Sequence, residues 1–191
     1  MELARRYADL LCTDGVQRGV IGPREVPRIW DRHLVNCALV QELVPVGSRV
    51  LDIGSGAGLP GIPLAIARND LMVTLVEPAE RRTLFLREVV GALALPVDVV
   101  RARAEDSAVT APVVTARAVA PLHRLVQWCL PHLEPSGVLL AIKGRSAHDE
   151  VQRDAVALRH AGAQVTDIVS CGSGWAAAPT TVVLIHRRGT A

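Results

Sequence analysis

Apolar side chains recur at helical spacing along the first 43 residues of the chain. Leu3, Tyr7 and Leu10 share one helical face, and Ile29 and His33 share a face in the second half of the stretch. Glycine and proline interrupt the pattern around residues 19–23, where a regular helix is disfavoured. The pattern predicts an N-terminal helical cap with helices over residues 3–18 and 24–43.

At Arg49 the pattern changes to short apolar runs that alternate with amphipathic segments. Repeated strand–helix units predict a parallel sheet with helices on both faces and right-handed crossovers. The last two apolar runs have no helical segment between them, so we expect them to pair as an antiparallel hairpin. The predicted strands are 49–53, 72–76, 97–101, 113–116, 138–142, 164–170 and 181–187. The predicted helices begin near residue 60 and cover 79–94, 121–132 and 146–161.

These elements predict an α/β fold in one domain over residues 1–191. Residues 1–45 form the cap, and residues 46–191 form a Rossmann-like core with a seven-stranded, mostly parallel sheet. A chain of 191 residues, half of them hydrophobic, can bury one sizeable core. Ligands bind such sheets at the carboxyl ends of the strands, near the point where the strand order reverses. The residues that we expect to converge there are Asp52, Glu77, Ala104, Glu105, Arg117 and Lys143.

Composition narrows the class of protein. No apolar run approaches the roughly 20 residues that a membrane-spanning helix needs. The N-terminus lacks a secretory signal pattern, so we expect a cytoplasmic protein without membrane contact. The four cysteines form no C-x-x-C pair and the six histidines form no H-E-x-x-H cluster, which predicts no metal site. The net charge of +2 neither requires nor excludes a nucleic-acid partner.

The segment Val50–Gly61 reads V-L-D-I-G-S-G-A-G-L-P-G. An apolar run ends at Asp52, and Gly54, Gly56 and Gly58 then lead into a helix. Glycines let a ligand approach the backbone, and a helix N-terminus offers free N–H groups. The segment also contains the G-x-G-x-x-G pattern of dinucleotide folds, but Asp52 would repel a pyrophosphate. S-adenosylmethionine, whose sulfonium and amino groups are cationic, suits this carboxylate better.

Two further strand ends support a site for an adenosine-containing cofactor. Glu77, at the end of the second predicted strand, is placed to accept both ribose hydroxyls. The alternative for Glu77 is a solvated carboxylate that caps the following helix. Ala104, Glu105 and Asp106 follow the third strand and are placed to hydrogen-bond an adenine edge. The alternative for these three residues is a solvated loop.

Four segments carry a resemblance to a known family. They read W-D-R-H-L-V-N-C at Trp30–Cys37, D-I-G-S-G-A-G-L-P-G-I-P-L at Asp52–Leu64, A-R-A-V-A-P-L at Ala116–Leu122 and A-I-K-G at Ala141–Gly144. In these segments the chain resembles the glucose-inhibited division protein B family, the bacterial small-subunit ribosomal RNA guanine-N7 methyltransferases. The resemblance covers nearly the whole chain, and its G-L-P-G-I-P and R-A-x-A parts are more specific than the glycine loop.

This resemblance implies a class I methyltransferase fold, S-adenosyl-L-methionine as cofactor, and 16S ribosomal RNA, free or in a small-subunit assembly intermediate, as substrate. The cofactor site that it implies consists of Gly54, Leu59, Ala104, Glu105 and Arg117, with Asp52, Gly56, Gly58 and Glu77 in support. The residues that we assign to RNA contact are Arg28, Arg32, His33, Lys143 and Arg145.

Parts of the cap allow other interpretations. His33 lies on an otherwise apolar helical face and could be a packed histidine, and Arg28 and Arg32 could form a solvated face. The chain also departs from the family at Asn36-Cys37, where the family usually has Asp-Ser. A charge that could orient Arg32 is therefore missing at this position.

The acceptor atom is inferred from chemistry that the sequence lacks. Carbon-5 methylation of pyrimidines needs a cysteine nucleophile, typically in a Pro-Cys pair. Enzymes that methylate exocyclic amines typically carry a D/N-P-P-Y/F signature. Neither pattern is present in this sequence. Ribose methylation of the two-lysine type does not fit because Lys143 is the only lysine. Guanine N7 has a nucleophilic lone pair and needs no general base. Arg117 and Lys143 are therefore expected to position the guanine or its phosphates.

Three hypotheses about function follow. The first is an S-adenosylmethionine-dependent ribosomal RNA (guanine-N7) methyltransferase that acts as a monomer. The second is a small-molecule methyltransferase on the same fold, with the N-terminal helices as a lid. The third is a catalytically silent S-adenosylmethionine-binding module that acts through a partner.

Overall fold

A parallel sheet forms the centre of the computed structural model, which describes residues 1–117, 120–174 and 176–189. Its order is β3-β2-β1-β4-β5-β7-β6. The first five strands pair in parallel, and β7 runs antiparallel to β5 and β6, which confirms the predicted sheet and its C-terminal hairpin. The strands are β1 (Arg49–Ile53), β2 (Met72–Val76), β3 (Val97–Val100), β4 (Ala111–Arg117), β5 (Leu133–Lys143), β6 (Ala163–Cys171) and β7 (Thr180–Arg187).

The helices alternate with the parallel strands as the sequence pattern predicts. Helix α3 begins at Gly61, one residue later than expected, and Pro60 is its N-cap residue. Pro63 lies in the first turn, where a missing N–H leaves no helical bond unmade. The α-helices in the described ranges are α1 (Glu2–Leu10), α2 (Asn36–Ala38), α3 (Gly61–Ala67), α4 (Glu80–Leu93), α5 (Leu122–Cys129) and α6 (Ala147–His160).

The cap is less regular than its sequence suggests. Instead of one helix over residues 24–43, the chain forms 3₁₀, π, α and again 3₁₀ turns, with α2 as the only α-helical part. Pro27 lies inside the first 3₁₀ segment and has no N–H to donate. Apolar spacing over one or two turns does not distinguish helices with these different pitches. The four segments are Pro23–Arg28, Ile29–Val35, Asn36–Ala38 and Leu39–Leu43.

Strand β5 is longer than the predicted 138–142. The sequence Glu134-Pro-Ser-Gly137 is typical of a turn, yet Leu133 pairs with Ala111 of β4 across a register shift. Ser136 adopts a left-handed backbone conformation with φ of 64°. A bulge therefore extends the strand through a segment whose local signals indicate a break.

Both faces of the sheet are covered, and the cap belongs to one of these layers. Tyr7, Leu11 and Cys37 of the cap pack in the same apolar core as Leu64 of α3 and Phe85 of α4. Helices α5 and α6 contribute to the core on the other face. No helix among the described residues is long and apolar enough to cross a membrane.

The strand order reverses between β1 and β4, so the carboxyl ends of these two strands lie side by side. Asp52 of β1 is in register with Thr115 of β4. Arg117 is the last residue of β4, and Lys143 is the last residue of the adjacent β5. This edge of the sheet is where open α/β folds bind ligands.

Candidate active site

Three cavities lie in a row along the carboxyl edge of the sheet. The first, of about 240 Å³, lies between the end of β1 and the segment after β3. The second, of about 350 Å³, lies between the glycine loop and the cap. The third, of about 360 Å³, is a basic cleft beside β5. Gly54 lines the first two cavities and Arg117 lines the last two, so each cavity shares a lining residue with the next.

The glycine loop takes backbone conformations that other residues rarely adopt. Gly54, Gly56 and Gly58 have φ angles of 70°, 59° and 98°. A Cβ added to Gly56 would meet only the Gly54 carbonyl oxygen, at 3.8 Å, whereas one added to Gly58 would lie 2.4 Å from Ile62 Cδ1. Gly56 and Leu59 line the second cavity. Gly56 thus leaves ligand space open, and Gly58 allows the loop to pack on α3.

Asp52 is fully buried beneath this loop. Its carboxylate accepts hydrogen bonds from the Gly61 N–H, at 3.1 Å, and from the Thr115 hydroxyl, at 3.2 Å. Burial raises the pKa of Asp52 to about 6, against the lowering effect of these bonds. Both oxygens are hydrogen-bonded within the protein, and Asp52 ties the end of β1 to the start of α3. Its predicted support of a cofactor stays a prediction.

Glu77 is also buried, contrary to the solvated alternative. One carboxylate oxygen accepts from the Gly56 N–H and the other from the Ala79 N–H, each at 2.9 Å. Arg82 lies 3.8 Å from the same carboxylate. Glu77 therefore holds the glycine loop and the chain entering α4 together, between Val76 and Pro78, which line the first cavity.

Ala104 and Glu105 line the first cavity opposite Gly54, as the sequence predicts for an adenine-facing segment. Trp128 of α5 also lines this cavity, with the Arg124 guanidinium 5.4 Å from its ring centre. Trp128 is not among the predicted site residues, since an aromatic residue on an amphipathic helix is most often a packing residue. Its role depends on how α5 lies against the segment after β3.

The cap supplies another contact that sequence reasoning missed. Tyr7 of α1 is fully buried and its hydroxyl donates a 2.8 Å hydrogen bond to the Ala57 carbonyl in the glycine loop. Burial raises the pKa of this phenol well above its usual value. Tyr7 therefore fixes the loop from the cap side.

Arg117 stands at the boundary between the second cavity and the basic cleft. Its guanidinium donates to the Arg32 carbonyl at 3.3 Å, to Cys37 Sγ at 2.8 Å and to His33 Nδ1. All three partners belong to the cap. Arg117, a predicted site residue, is thus held by cap residues that lie 80 to 85 positions earlier in the sequence.

His33 is buried with both ring nitrogens engaged, which fits a structural histidine better than the predicted direct RNA contact. Nε2 lies 2.7 Å from Glu25 Oε2, and Nδ1 faces Arg117. Burial lowers the pKa of His33, and hydrogen bonding to His33 lowers the pKa of Glu25. Glu25 also lies 3.6 Å from Arg32 Nη1. The charge that seemed to be missing beside Arg32 therefore comes from Glu25, while Cys37 binds Arg117.

Lys143 lines the basic cleft, but its ammonium group is occupied. Nζ donates to Glu150 at 3.0 Å and to the Ala120 carbonyl at 2.9 Å. The side chains of Lys143 and Glu150 are only 9% and 12% exposed. Nζ thus links the end of β5 to Ala120 and to α6, and the predicted contact of Lys143 with the substrate stays a prediction. Ala118 and Val119, which belong to the A-R-A-V-A-P-L segment, lie outside the described residues.

The remaining predicted RNA contacts divide into two groups. Arg32 and Arg145 line the basic cleft and are exposed. Arg28 is exposed but does not line the three cavities. Among the residues that the model describes, no group of three His, Cys, Asp or Glu side chains could hold a metal ion.

Comparison with known proteins identifies the family. The family model described as GidB, rRNA small subunit methyltransferase G, matches residues 1–178. The ribosomal RNA small subunit methyltransferase G of Rhodococcus jostii is 55% identical over 97% of this chain and 84% of the relative. Its counterpart from Salinispora tropica is 56% identical over 98% of this chain and 81% of the relative.

Solved structures agree on the fold. The M. jannaschii protein TYW2, crystallised in complex with AdoMet, aligns with a TM-score of 0.62 over 83% of this chain and 78% of that chain. The two sequences are only 18% identical, so this likeness concerns the fold alone. From the family model and the close relatives, the chain belongs to the GidB family, rRNA small subunit methyltransferase G.

Proposed function

We propose that this chain uses S-adenosyl-L-methionine to methylate N7 of a guanosine in 16S ribosomal RNA. The observation that carries the proposal is the position of Arg117 between the glycine-loop cavity and a basic cleft. The close relatives are named for ribosomal RNA methylation, which supports RNA rather than a small molecule as the acceptor. The proposed reaction is in-line transfer without a general base.

The residues present fit the cofactor. Gly56 leaves a cradle that a Cβ would fill, and Ala104, Glu105 and Trp128 surround a cavity of about 240 Å³ that suits an adenine ring. Bound there, S-adenosyl-L-methionine supplies an electrophilic methyl group. Asp52 and Glu77 keep the glycine loop in place, since their carboxylates accept from the Gly61 and Gly56 N–H groups.

The side chains around the boundary support guanine N7 as the acceptor. Apart from arginines, the basic side chains among the described residues of the second and third cavities are His33 and Lys143. His33 Nδ1 accepts from Arg117, and Lys143 is paired with Glu150. Neither is free to act as a general base. N7 needs none, because its lone pair is already nucleophilic. Catalysis can then consist of alignment of the reacting atoms, which contributes ~7–11 kcal/mol at most.

The basic cleft supports a nucleic-acid substrate. Arg32, Arg117 and Arg145 line it and can donate to phosphates or to guanine O6. Arg28 lies on the exposed edge of the cap and would extend this contact. We propose that the cleft binds folded 16S RNA, free or within a small-subunit assembly intermediate.

A transfer assay tests the proposal. The protein is incubated with labelled S-adenosyl-L-methionine and unmethylated small subunits or their RNA, and the product is mapped by mass and by chain cleavage at 7-methylguanine. Label at one guanosine N7 is the expected result, and Arg117→Ala should abolish most of it while the variant stays folded. Label in small metabolites would favour the small-molecule hypothesis instead. Cofactor binding without any transfer would favour a silent binding module.

A further inference from the structure

Glu25 is an acidic residue of the cap that the sequence pattern does not single out. It lies on the 3₁₀ segment Pro23–Arg28 with its side chain 29% exposed. Oε2 of Glu25 lies 2.7 Å from His33 Nε2 and 3.6 Å from Arg32 Nη1. Two hydrogen bonds, which share the His33 ring, connect this carboxylate to Arg117.

The chemistry of Arg117 determines which nitrogen of His33 carries the proton. A guanidinium group has only donors, so His33 Nδ1 must accept and the ring proton resides on Nε2. The Nε2–H group then donates to Glu25. If the ring flipped, or if the proton moved to Nδ1, an N–H group would face the guanidinium.

The charged groups that face His33 come from three elements. Arg117 approaches from β4, Arg32 from the same turn as His33, and Glu25 from the preceding 3₁₀ segment. Burial lowers the pKa of His33, the two arginines lower it further, and the bond to Glu25 opposes this. Glu25 is therefore the partner that holds the ring from the side opposite Arg117.

We propose that Glu25 is a positioning residue for methyl transfer, a role that rests on the function proposed above. Its carboxylate holds the His33 ring in the orientation and tautomer in which Nδ1 accepts from Arg117. Arg117 is then directed to the boundary between the glycine-loop cavity and the basic cleft. The arrangement resembles the use of a carboxylate to orient a catalytic imidazole, although here the ring orients an arginine rather than moving a proton.

Glu25→Ala removes the anchor of the ring and should lower kcat about tenfold or more, the effect of losing one charged hydrogen bond. The KM for S-adenosyl-L-methionine should change less than kcat. Glu25→Gln keeps an oxygen that can accept from Nε2–H and should restore most of kcat. Because Glu25 supports the protonated form of His33, both substitutions should move the acid limb of the pH–rate profile to lower pH.

Nitrogen-15 NMR of the histidine side chains tests the proposal without any methyl transfer, with His33→Asn used for assignment. Wild-type protein at pH 8 should show His33 as the pure Nε2–H tautomer. Glu25→Ala should show a mixture, because a ring without its Glu25 anchor can turn away from Arg117. The matched control is Glu88→Gln, which removes an exposed carboxylate bound to Arg18 and should change neither the spectrum nor kcat.

Two results would overturn the role of Glu25: an unchanged His33 tautomer in Glu25→Ala, or full kcat in that variant. Failure of the proposed function would look different. Wild-type protein would then transfer no label to RNA, while the effect of Glu25 on the His33 tautomer could still be measured.

Discussion

At the scale of single residues, Asp52 shows how burial changes the meaning of a motif residue. The carboxylate is fully buried and its pKa is raised to about 6. The folded protein therefore binds more protons than the unfolded chain between about pH 4 and pH 6. The stability that Asp52 contributes is complete below the unfolded pKa and is lost as the pH rises through the folded value.

Asp52→Asn should remove this pH dependence. The asparagine oxygen can accept from the Gly61 N–H while its amide donates to the Thr115 hydroxyl, so the buried bonds are kept. Relative to wild type, the free energy of unfolding of the variant should rise by about 2 kcal/mol between pH 4 and pH 7.5. Urea unfolding at a series of pH values measures the difference. A difference that stays flat would contradict the buried, proton-binding carboxylate.

At the scale of elements, the glycine loop combines two separate requirements. Gly56 borders a cavity, whereas Gly58 packs against the side chain of Ile62. Both glycines have positive φ angles, but 59° at Gly56 lies in the left-handed region that other residues can enter and 98° at Gly58 lies outside it. An alanine at Gly58 therefore combines a larger backbone strain with the overlap with Ile62.

Gly56→Ala should leave the protein folded and weaken cofactor binding, because the added methyl group enters the cradle. Gly58→Ala should lower the unfolding free energy by a further 1–3 kcal/mol or so, since its Cβ would overlap Ile62. Thermal unfolding and calorimetric titration with S-adenosyl-L-methionine measure the two effects. Equal stability losses in the two variants would show that this division of roles is wrong.

The start of α5 is held by the neighbouring helix α6. The Glu150 carboxylate accepts from the Leu122 N–H at 2.7 Å and from Lys143 at 3.0 Å, and Asp154 accepts from the His123 N–H at 3.1 Å. Carboxylates at a helix N-terminus satisfy its free N–H groups and its partial positive charge. This arrangement fixes Leu122 and His123 at the start of α5.

Substitution of Lys143 should therefore lower stability as well as transfer. A double-mutant cycle of Lys143→Met and Glu150→Gln should give a coupling energy of about 1–3 kcal/mol, because both side chains are largely buried. Each single variant should also lower kcat, through movement of Ala120 and of the start of α5, which Lys143 and Glu150 bind. Denaturant unfolding and the transfer assay provide the measurements. A Lys143→Met variant with wild-type stability would instead favour direct substrate contact.

At the scale of the whole molecule, net charge understates the basic character of the active-site edge. The chain carries only +2 overall, yet the cleft is lined by three arginines and one lysine, namely Arg32, Arg117, Arg145 and Lys143. The balancing acidic groups near it are engaged, as Glu25 and Glu150 bind cations within the protein. Local charge, rather than net charge, is what attracts a phosphate backbone.

The salt dependence of RNA binding should report this cleft. Arg145→Ala should weaken binding to 16S RNA and reduce the slope of log Kd against log salt concentration by about 0.7–1, the loss of one phosphate contact. Arg159→Ala is the matched control, because Arg159 is exposed at the end of α6 on the opposite edge of the sheet. Equal slope changes in both variants would show that binding does not depend on the cleft.

Much of the molecule was predictable because local sequence carries the relevant physics. Apolar runs and amphipathic segments predicted the seven strands, the parallel core and the hairpin, since buried parallel strands need continuous apolar residues. The alternating glycines after Asp52 predicted the loop at the end of β1, where they adopt positive φ angles. Ala104 and Glu105 line the first cavity, and their contact with an adenine ring stays a prediction. Pitch changes in the cap and the bulge that extends β5 were not predictable, because packing overrode local turn and helix signals there.

The amino-acid sequence by itself determined the elements, the edge of the sheet where they converge, and the family. Only the tertiary structure decided what each site residue contacts. Asp52 and Lys143 bind backbone groups, and His33, which is itself bound to Glu25, binds Arg117. The reason is physical: a hydrogen bond depends on the distance and direction between two groups. Arg117 and His33 are 84 positions apart in sequence and meet only when the cap packs on the sheet.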